Sequence, residues 1–464
     1  MQQWPRLLFC RHQRGITGKT DEDAMRILFI LPYDNTYRYK AAFVPSLSYQ
    51  PLTLSSLAAL VPQELNAEIT LADEGVRIYN YTNTTYDMVF ISIVTSSAHR
   101  GYELADLFLS RGSYVSIGGH HATLLPEEAM KHANTVFSGP AEDTFPLFFK
   151  DFLSGTAQKL YNADAFRQQC GCTRIVSAQP LAKRMLMSEK KYLRQPTIIA
   201  DYGCPNNCKY CVIPSFWGHH TRRPTADVIH ELQLLIASGH KEFLFLDPSP
   251  FGDLSYAAEL LCAMKTINIR WAGLCALDNA FNPQLLTLLK ESGCIGMLMG
   301  FESFSQNDLD SMNKFKNKVR NYHDAVHNLH EHGIVVLGTF MLGMDCDTKE
   351  SLSELPGLIA ETKIDVPRFA IVTPWPNTPY FNELDAENRI LHRDWRQYDS
   401  VHCVFRPRNM SPSELEKQFM TVWRETYRPG AIMRRLRNTP QRKFTTMVTG
   451  IGFHIYANRI NKLL

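Results

Sequence analysis

The sequence lacks any apolar run of the roughly 20 residues that a membrane-spanning helix needs. Its first residues also lack the long apolar core of a secretory signal peptide. It also lacks a large excess of charge of one sign. Its 49 Lys and Arg are nearly balanced by 46 Asp and Glu, which gives a net charge of +3. This balance argues against nucleic acid as the main partner. We therefore expect a cytoplasmic protein.

Cysteine is present, but not in the pattern of a disulfide-stabilised secreted domain. The eleven cysteines are an odd number scattered through apolar segments, and no export signal accompanies them. With 45% hydrophobic and 11% aromatic residues, the composition can build substantial cores. A chain of 464 residues is longer than one ordinary domain, so we expect several.

The first ordered region alternates short apolar runs with helical patterns. Residues 1–24 are expected to be a disordered extension, with the natural start at Met25. Continuous apolar strands separated by helices indicate a parallel sheet covered on both faces, which predicts a doubly wound, Rossmann-like α/β domain over residues 25–155. Its predicted strands are residues 26–31, 69–72, 87–94, 114–117 and 135–138.

Small residues follow three of these strands, where ligands of such domains bind. They include Ser96 after the third strand, Gly118 and Gly119 after the fourth and Gly139 after the fifth. Glycine and other small residues allow a ligand to approach the backbone closely. No G-x-G-x-x-G motif follows the first strand, so a dinucleotide ligand is not favoured.

Residues 156–195 show no clear period and are expected to connect this domain to a second βα series over residues 196–385. Six consecutive βα units predict a partial (β/α)6 barrel, with its chemistry at the C-terminal strand ends. Residues 386–464 are expected to form a small, helical, basic subdomain. The six predicted strands are residues 197–201, 242–247, 270–275, 294–301, 334–341 and 368–373.

Three cysteines follow the first strand of the second series. Cys204, Cys208 and Cys211 have the spacing C-x3-C-x2-C. Three thiolates on one short loop can hold three corners of a [4Fe-4S] cluster and leave one iron open. Zinc is the alternative, with His219 or His220 as its fourth ligand. The iron–sulfur interpretation is favoured because reactive groups are expected at a barrel strand end.

This motif, with the aromatic Tyr210 before its last cysteine, resembles that of the radical S-adenosylmethionine superfamily over about residues 195–385. The resemblance implies that the amino and carboxylate groups of S-adenosylmethionine chelate the open iron. One electron, from a donor such as a flavodoxin or ferredoxin, then yields methionine and a 5′-deoxyadenosyl radical. The resemblance also implies that the backbone of Tyr210 contacts the adenine of S-adenosylmethionine.

Further segments resemble the S-adenosylmethionine site of that superfamily. Glu302 and Ser303 match a segment that contacts the ribose, and a Glu just after a buried strand can accept from both ribose hydroxyls. Gly343 matches a glycine that lets adenine pack against the backbone. Asp247 matches an acid that holds the methionine amino group, but Pro248 stands where relatives carry a second acid.

The order of the two domains resembles that of the cobalamin-binding radical S-adenosylmethionine enzymes, which include class B methyltransferases and the anaerobic Mg-protoporphyrin cyclase-like family. The D-x-H-x-x-G ligand loop of cobalamin mutases is absent after the first strand. His121 is therefore expected to donate or accept hydrogen bonds rather than to ligate cobalt. The resemblance places the corrinoid against the first domain, at Ser96, Gly118, Gly119, His121, Gly139 and Glu142.

The leading hypothesis for function is a cobalamin-dependent C-methyltransferase that acts on an unactivated carbon of a small molecule or lipid. One alternative is a cobalamin-dependent radical cyclase or rearrangement enzyme on a tetrapyrrole or lipid. A third is a corrinoid- or cluster-binding sensor without enzymatic activity. The basic C-terminal segment suggests peripheral contact with an anionic membrane, although we favour a helical subdomain that caps the barrel.

Overall fold

A computed structural model describes residues 24–34, 48–77, 79–82, 84–171, 180–187 and 192–460. The chain forms two compact units, residues 1–33 with 51–191 and residues 34–50 with 192–464. The predicted extension over residues 1–24 lies outside the described residues, apart from Ala24. Within the second unit, Leu193 N donates to Ser48 O at 2.7 Å and Thr197 Oγ1 donates to Gln50 O at 3.0 Å, which ties residues 48–50 to its first strand.

The first unit is built on a six-stranded parallel sheet with the order β2-β1-β3-β4-β5-β6. Ile27, Leu28, Phe29 and Ile30 of β1 are fully buried because helices cover both faces of the sheet. The chain direction across the sheet reverses between β1 and β3, the position at which such sheets bind ligands. The strands are β1 Met25–Leu31, β2 Ala67–Asp73, β3 Met88–Ser92, β4 Tyr114–Gly118, β5 Thr135–Ser138 and β6 Leu160–Asn162.

Helices flank this sheet and supply aromatic side chains to its core. The last long helix of the unit buries Phe145, Phe148 and Phe149, and the Phe145 ring lies 5.0 Å from that of Phe90 in β3. The helices are α1 Leu52–Ala59, α2 Ala98–Ser110, α3 His120–Leu124, α4 Pro126–Ala129, α5 Ala141–Leu153 and α6 Ala163–Cys170. Short 3₁₀ turns lie at Gln63–Leu65, Thr95–Ser97 and Arg184–Leu186.

The second unit contains a six-stranded parallel sheet with the order β14-β13-β12-β11-β10-β7. Neighbours in the sheet are successive parallel strands of the chain, as in an incomplete barrel, so the predicted α/β class is confirmed. A separate antiparallel pair joins β8 to β9. The strands are β7 Thr197–Ile198, β8 Asp201–Tyr202, β9 Thr221–Arg222, β10 Glu242–Phe245, β11 Arg270–Cys275, β12 Cys294–Glu302, β13 Val335–Leu342 and β14 Val366–Ile371.

Helices follow the strands of this sheet, several with capping residues that the sequence provides. Asp253 caps one of them by accepting from Ser255 N and Tyr256 N. The helices up to the C-terminal group are α7 Ile213–Trp217, α8 Thr225–Ala237, α9 Leu254–Met264, α10 Pro283–Glu291, α11 Gln306–Ser311, α12 Tyr322–Glu331, α13 Lys349–Thr362 and α14 Pro379–Ala386. Short 3₁₀ turns lie at Lys265–Ile267, Leu277–Phe281, Val319–Asn321 and Trp395–Gln397.

The C-terminal segment forms three helices, and the first and third of them pack on the edge strand β14. They are α15 Pro412–Thr426, α16 Pro429–Asn438 and α17 Lys443–Ala457. Trp423 is fully buried and its ring lies 5.2 Å from that of Phe369, while Tyr427 Oη donates to Pro367 O at 2.5 Å. The predicted helical C-terminal region is thus present. No helix among the described residues is long and apolar enough to cross a membrane.

Candidate active site

The cysteine motif lies on a loop that is closed at its base by the β8–β9 ladder. Asp201 pairs with Arg222 and Tyr202 with Thr221, so the two ends of the loop lie side by side. Gly203 has φ +81°, and a Cβ there would lie 2.6 Å from His219 O. Only glycine allows the two arms of the loop to approach this closely.

Two neighbouring segments hold the tip of the cysteine loop. Lys209 N donates to Met312 O at 3.1 Å, just after α11, and Tyr380 N of α14 donates to Lys209 O at 3.1 Å. Asn313 Nδ2 also donates to Asn207 O at 3.3 Å. The segments that follow β12 and β14 therefore fix the position of the loop.

The three thiols share this loop, and each sulfur has its own polar neighbour. Asn206 Nδ2 donates to Cys204 Sγ at 3.4 Å and Ile213 N donates to Cys211 Sγ at 3.5 Å. Cys208 Sγ lies 4.0 Å from Asn313 O. Hydrogen bonds to cysteine sulfur are a feature of iron–sulfur sites, where they adjust the reduction potential. The donor set thus has the chemistry of a cluster-binding loop.

Burial disfavours the thiolate form of these cysteines. It raises the pKa of the Cys211 thiol to about 12, and it also raises the pKa of Cys208, against the opposing effect of the nearby Lys314 ammonium. Among the described residues, no three His, Cys, Asp or Glu side chains form a ready-made metal group. Three neighbouring thiolates would repel one another, so a cationic group such as an iron–sulfur cluster is needed to stabilise them on this loop.

The zinc alternative receives no fourth ligand from the structure. His220 Nε2 lies 3.4 Å from Asp201 Oδ2, where it pairs with a buried carboxylate, and His219 is exposed. Neither imidazole belongs to a metal-binding group in the part of the chain that the structure describes.

The structure brings Tyr210 and Glu302 together, as two of the predicted site residues. Glu302 ends β12 with φ +69°, and the pairing of β12 with β13 shifts register between Gly300 and Glu302. Its Oε1 accepts from Tyr210 Oη at 3.1 Å and from Lys314 Nζ at 3.2 Å. This irregularity directs the carboxylate of Glu302 towards the cysteine loop.

Two residues beside Glu302 were not predicted from the sequence. Burial opposes the charge on Lys314, but Glu302 and the cysteine thiols outweigh it and raise the pKa of Lys314. A Cβ on Gly300 would lie 2.2 Å from Glu302 Oε1, so any larger residue there would displace the end of this carboxylate side chain. A lysine within a surface-like segment and a glycine in a strand give no distinctive signal in the sequence.

Polar side chains satisfy the carbonyl groups that the irregularity exposes. Asn317 Nδ2 donates to Gly300 O at 2.7 Å and to Phe301 O at 3.1 Å. Tyr322 Oη lies 2.7 Å from Phe301 O and 2.8 Å from Ser303 O. Ser303 is buried, and its Oγ accepts from the backbone N–H of Ser305 at 3.0 Å. The predicted Glu302–Ser303 segment is therefore held rigidly.

Asp247 holds the backbone at the start of the cysteine loop. Its Oδ1 accepts from Ala200 N at 2.6 Å and from Asp201 N at 3.1 Å. Burial, followed by the charge of Asp201, raises the pKa of Asp247. The structure thus gives Asp247 a role in positioning the loop, and the predicted contact with a methionine amino group stays a prediction.

Gly343 ends β13 in a turn that glycine alone adopts readily. Its φ is +96°, and a Cβ there would lie 2.5 Å from Leu415 Cδ2 of α15. Asp347 Oδ2 accepts from the N–H groups of Gly343 at 2.7 Å and Met344 at 3.0 Å. The positive φ of Gly343 therefore requires glycine in this turn, and its predicted contact with adenine stays a prediction.

Asp347→Asn is expected to flatten the pH dependence of stability. Burial and then the Asp308 carboxylate raise the pKa of Asp347 to about 7. The folded protein therefore retains a proton that the unfolded chain loses near pH 4, and this contribution to stability is lost as pH rises from about 4 through 7. The Asn amide oxygen can still accept both N–H bonds. Melting temperatures at pH 5 and pH 8 should differ less in the variant than in the wild type, and an equal difference would contradict this.

The predicted residues of the first unit lie at the C-terminal ends of β3, β4 and β5. Gly119 has φ +97°, and a Cβ there would lie 2.5 Å from Ile93 O, so its packing within the unit requires glycine. Gly139, with φ +81°, donates its N–H to Thr123 Oγ1 at 2.8 Å. Gly118 ends β4, Ser96 is buried in a 3₁₀ turn and Glu142 lies in the first turn of α5. These residues therefore share one edge of the parallel sheet, and their predicted contacts with a corrinoid stay a prediction.

His121 is enclosed, as expected of a hydrogen-bonding residue. It is fully buried, with Nδ1 3.3 Å from Thr95 Oγ1 and Nε2 3.1 Å from Glu128 Oε1. Both ring nitrogens therefore have partners within the first unit, and the predicted contact of His121 with a corrinoid stays a prediction. Burial lowers the pKa of the neighbouring His120 to about 4, so that imidazole is neutral near pH 7.

Comparisons with known proteins show the family to which this chain belongs. The family model described as the Radical SAM superfamily matches residues 198–358. The bacteriochlorophyllide d C-12(1)-methyltransferase of Chlorobaculum tepidum is 33% identical, over 84% of this chain and 85% of that protein. The bacteriochlorophyllide d C-8(2)-methyltransferase of the same organism is 27% identical, over 87% and 90%.

A solved structure shares the fold. The radical S-adenosylmethionine methyltransferase TsrM from Kitasatospora setae, solved with cobalamin and a [4Fe-4S] cluster bound, has a TM-score of 0.62 at 16% identity, covering 86% of this chain and 85% of that one. The protein belongs to the radical S-adenosylmethionine superfamily and, within that class, to the family of the bacteriochlorophyllide methyltransferases. It is an enzyme, and its cofactors include a [4Fe-4S] cluster and S-adenosylmethionine.

Proposed function

We propose that this enzyme transfers a methyl group to an unactivated carbon of a tetrapyrrole-type small molecule, with cobalamin as a further cofactor. The observation that carries the proposal is the 33% identity, over 84% of the chain, to a bacteriochlorophyllide d C-12(1)-methyltransferase. When bound, the cluster supplies the electron that cleaves S-adenosylmethionine to a 5′-deoxyadenosyl radical, and the corrinoid supplies the methyl group.

Cys204, Cys208 and Cys211 are the residues that we assign to the cluster. The closed ladder below their loop and the backbone contacts at Lys209 hold the loop in place before any cofactor binds. Ile213 N–H and the Asn206 amide, which already donate to sulfur, would stabilise thiolates there. This chain therefore contributes three sulfur ligands on one loop whose backbone is held by its neighbours.

Glu302 is the residue that we assign to the ribose of S-adenosylmethionine. Its Oε1 accepts from Tyr210 and Lys314, whereas its Oε2 accepts no hydrogen bond among the described residues. The ammonium of Lys314 pairs with Oε1, so Oε2 remains an acceptor for ribose hydroxyls. Because Tyr210 lies between Cys208 and Cys211, this contact couples nucleoside binding to the cysteine loop.

The first unit is the part that we assign to cobalamin. Ser96, Gly118, Gly119, Gly139 and Glu142 lie at one edge of its parallel sheet, where ligands of this fold bind. The engaged ring of His121 supports a corrinoid without a histidine on its cobalt. A flavodoxin or ferredoxin as electron donor belongs to the same proposal, and so does peripheral contact of the basic C-terminal segment with a membrane.

An anaerobic assay of the reconstituted enzyme with cobalamin and a bacteriochlorophyllide tests the reaction. Methyl transfer predicts a methylated product together with S-adenosylhomocysteine and 5′-deoxyadenosine. A cyclase or rearrangement enzyme would instead form 5′-deoxyadenosine and a product without an added methyl group. Transfer of deuterium from S-adenosyl-[methyl-d3]methionine into the product supports the proposal, and an unlabelled product contradicts it.

A further inference from the structure

The last helix, α17, has apolar residues on two opposite faces. Its inner face packs on the protein, where Gly450 allows close contact with Ile432 and the Phe453 ring lies 5.4 Å from that of Trp423. The outer face carries four exposed apolar side chains, Phe444, Val448, Ile451 and Ile455, which are 73%, 51%, 47% and 39% exposed. At about 100° per residue these four fall within an arc of about 60°.

This outer apolar face is unusual for a helix at a protein surface. Such helices ordinarily turn a polar face outward, and a helix that is apolar on both sides is normally covered on both. Met433 of the preceding helix α16 is also 57% exposed. Contiguous exposed apolar residues, as distinct from scattered ones, mark sites of interaction.

The segment around this face is strongly basic. Residues 428–464 contain eight Lys and Arg and no Asp or Glu, whereas the whole chain is nearly balanced at 49 and 46. Arg435 and Arg442 are used within the protein, where Arg435 lies over the Tyr427 ring at 4.9 Å and Arg442 pairs with Glu242. The basic side chains exposed to solvent among the described residues of this segment are Arg428, Arg434, Arg437, Lys443 and Arg459.

We propose that the outer apolar face of α17 docks on a lipid bilayer with anionic headgroups, with the helix lying in the plane of the interface. Only a partner that is both apolar and negative complements this surface, and an anionic bilayer is both. A second copy of the chain would bring two basic segments together, which Coulomb repulsion opposes. The inference extends the proposed function, because the enzyme would collect a lipophilic tetrapyrrole at a membrane. Binding of α17 to the bilayer does not itself require methyl transfer.

Co-sedimentation of the full-length protein with vesicles tests this proposal. Binding to phosphatidylcholine vesicles containing phosphatidylglycerol should exceed binding to phosphatidylcholine alone, and should weaken at high salt. Phe444→Ser with Ile451→Ser should reduce binding by about tenfold or more. Arg434→Glu with Arg437→Glu should also weaken it, since each basic residue near an anionic surface contributes roughly fivefold.

The matched control removes exposed apolar side chains elsewhere in the second unit. Leu234 and Leu391 are 44% and 39% exposed, so Leu234→Ser with Leu391→Ser should leave vesicle binding unchanged. Equal binding by the Phe444/Ile451 variant and the wild type would overturn the proposal. So would a wild-type dimer, seen by light scattering, that this variant converts to a monomer, because a second copy would then cover the face. Neither outcome depends on methyl transfer, so the proposed reaction is tested separately.

Discussion

Cys211→Ala is expected to abolish formation of 5′-deoxyadenosine from S-adenosylmethionine, with a loss of about 1,000-fold or more. The loop offers three thiols for three irons, and among the described residues no other His, Cys, Asp or Glu side chain forms a metal group with them. Two remaining thiols cannot hold the cluster in the same way. The measurements are iron and sulfide content after anaerobic reconstitution and the rate of 5′-deoxyadenosine formation with dithionite.

Cys262→Ala is the matched control for this substitution. Cys262 is a free, exposed cysteine on α9, outside the cysteine loop. Its removal should leave about four irons per chain and an unchanged rate. If Cys211→Ala retained the wild-type iron content and rate, the assignment of the cluster to this loop would be wrong.

Gly300→Ala is expected to weaken binding of S-adenosylmethionine by about 10- to 100-fold without loss of the cluster. A Cβ at residue 300 would meet Glu302 Oε1 at 2.2 Å, which displaces the carboxylate from Tyr210 and Lys314. The estimate corresponds to the roughly 1.5–3 kcal/mol of a hydrogen bond to a charged group. Equilibrium binding to the reconstituted enzyme, with iron content measured in parallel, checks this expectation.

Gly296→Ala in the same strand provides the control. Its added Cβ would lie no closer than 3.4 Å to any neighbour, Val335 O being the nearest, so the strand can accommodate it. We expect near wild-type affinity for this variant. Glu302→Gln should keep wild-type affinity only if the charge of Glu302 does not contribute to binding of S-adenosylmethionine. Wild-type affinity in Gly300→Ala would contradict the assignment of Glu302 to the ribose.

Much of the fold follows from the sequence because its strands are buried on both faces. The structure gives the predicted strands Arg270–Cys275 and Thr135–Ser138 with the same bounds, and Thr135–Ser138 is buried along its whole length. By contrast, β6 has three residues and lies with α6 in a region where we predicted no element. The two-residue strands β8 and β9 are defined by their pairing alone, and pairing has no local signature.

The site was predictable where chemistry depends on residue type and spacing. The three cysteines could be named from their spacing, and Tyr210 and Glu302 from the resemblance of their segments to the superfamily. The structure places Tyr210 and Glu302 in contact. Lys314 and Gly300 could not be named, since their roles arise from the register shift that turns Glu302 towards the loop. The backbone contacts of Asp247 were likewise hidden, because they depend on two strands coming together in space.

Electron paramagnetic resonance of the reduced, reconstituted enzyme tests the central claim most directly. The account predicts a [4Fe-4S]⁺ signal that changes in g-values when S-adenosylmethionine is added, because the substrate binds the iron that Cys204, Cys208 and Cys211 leave open. The same signal should be absent from Cys211→Ala and unchanged in Cys262→Ala. A cluster signal that is indifferent to S-adenosylmethionine in the wild type, or that persists in Cys211→Ala, would contradict the account.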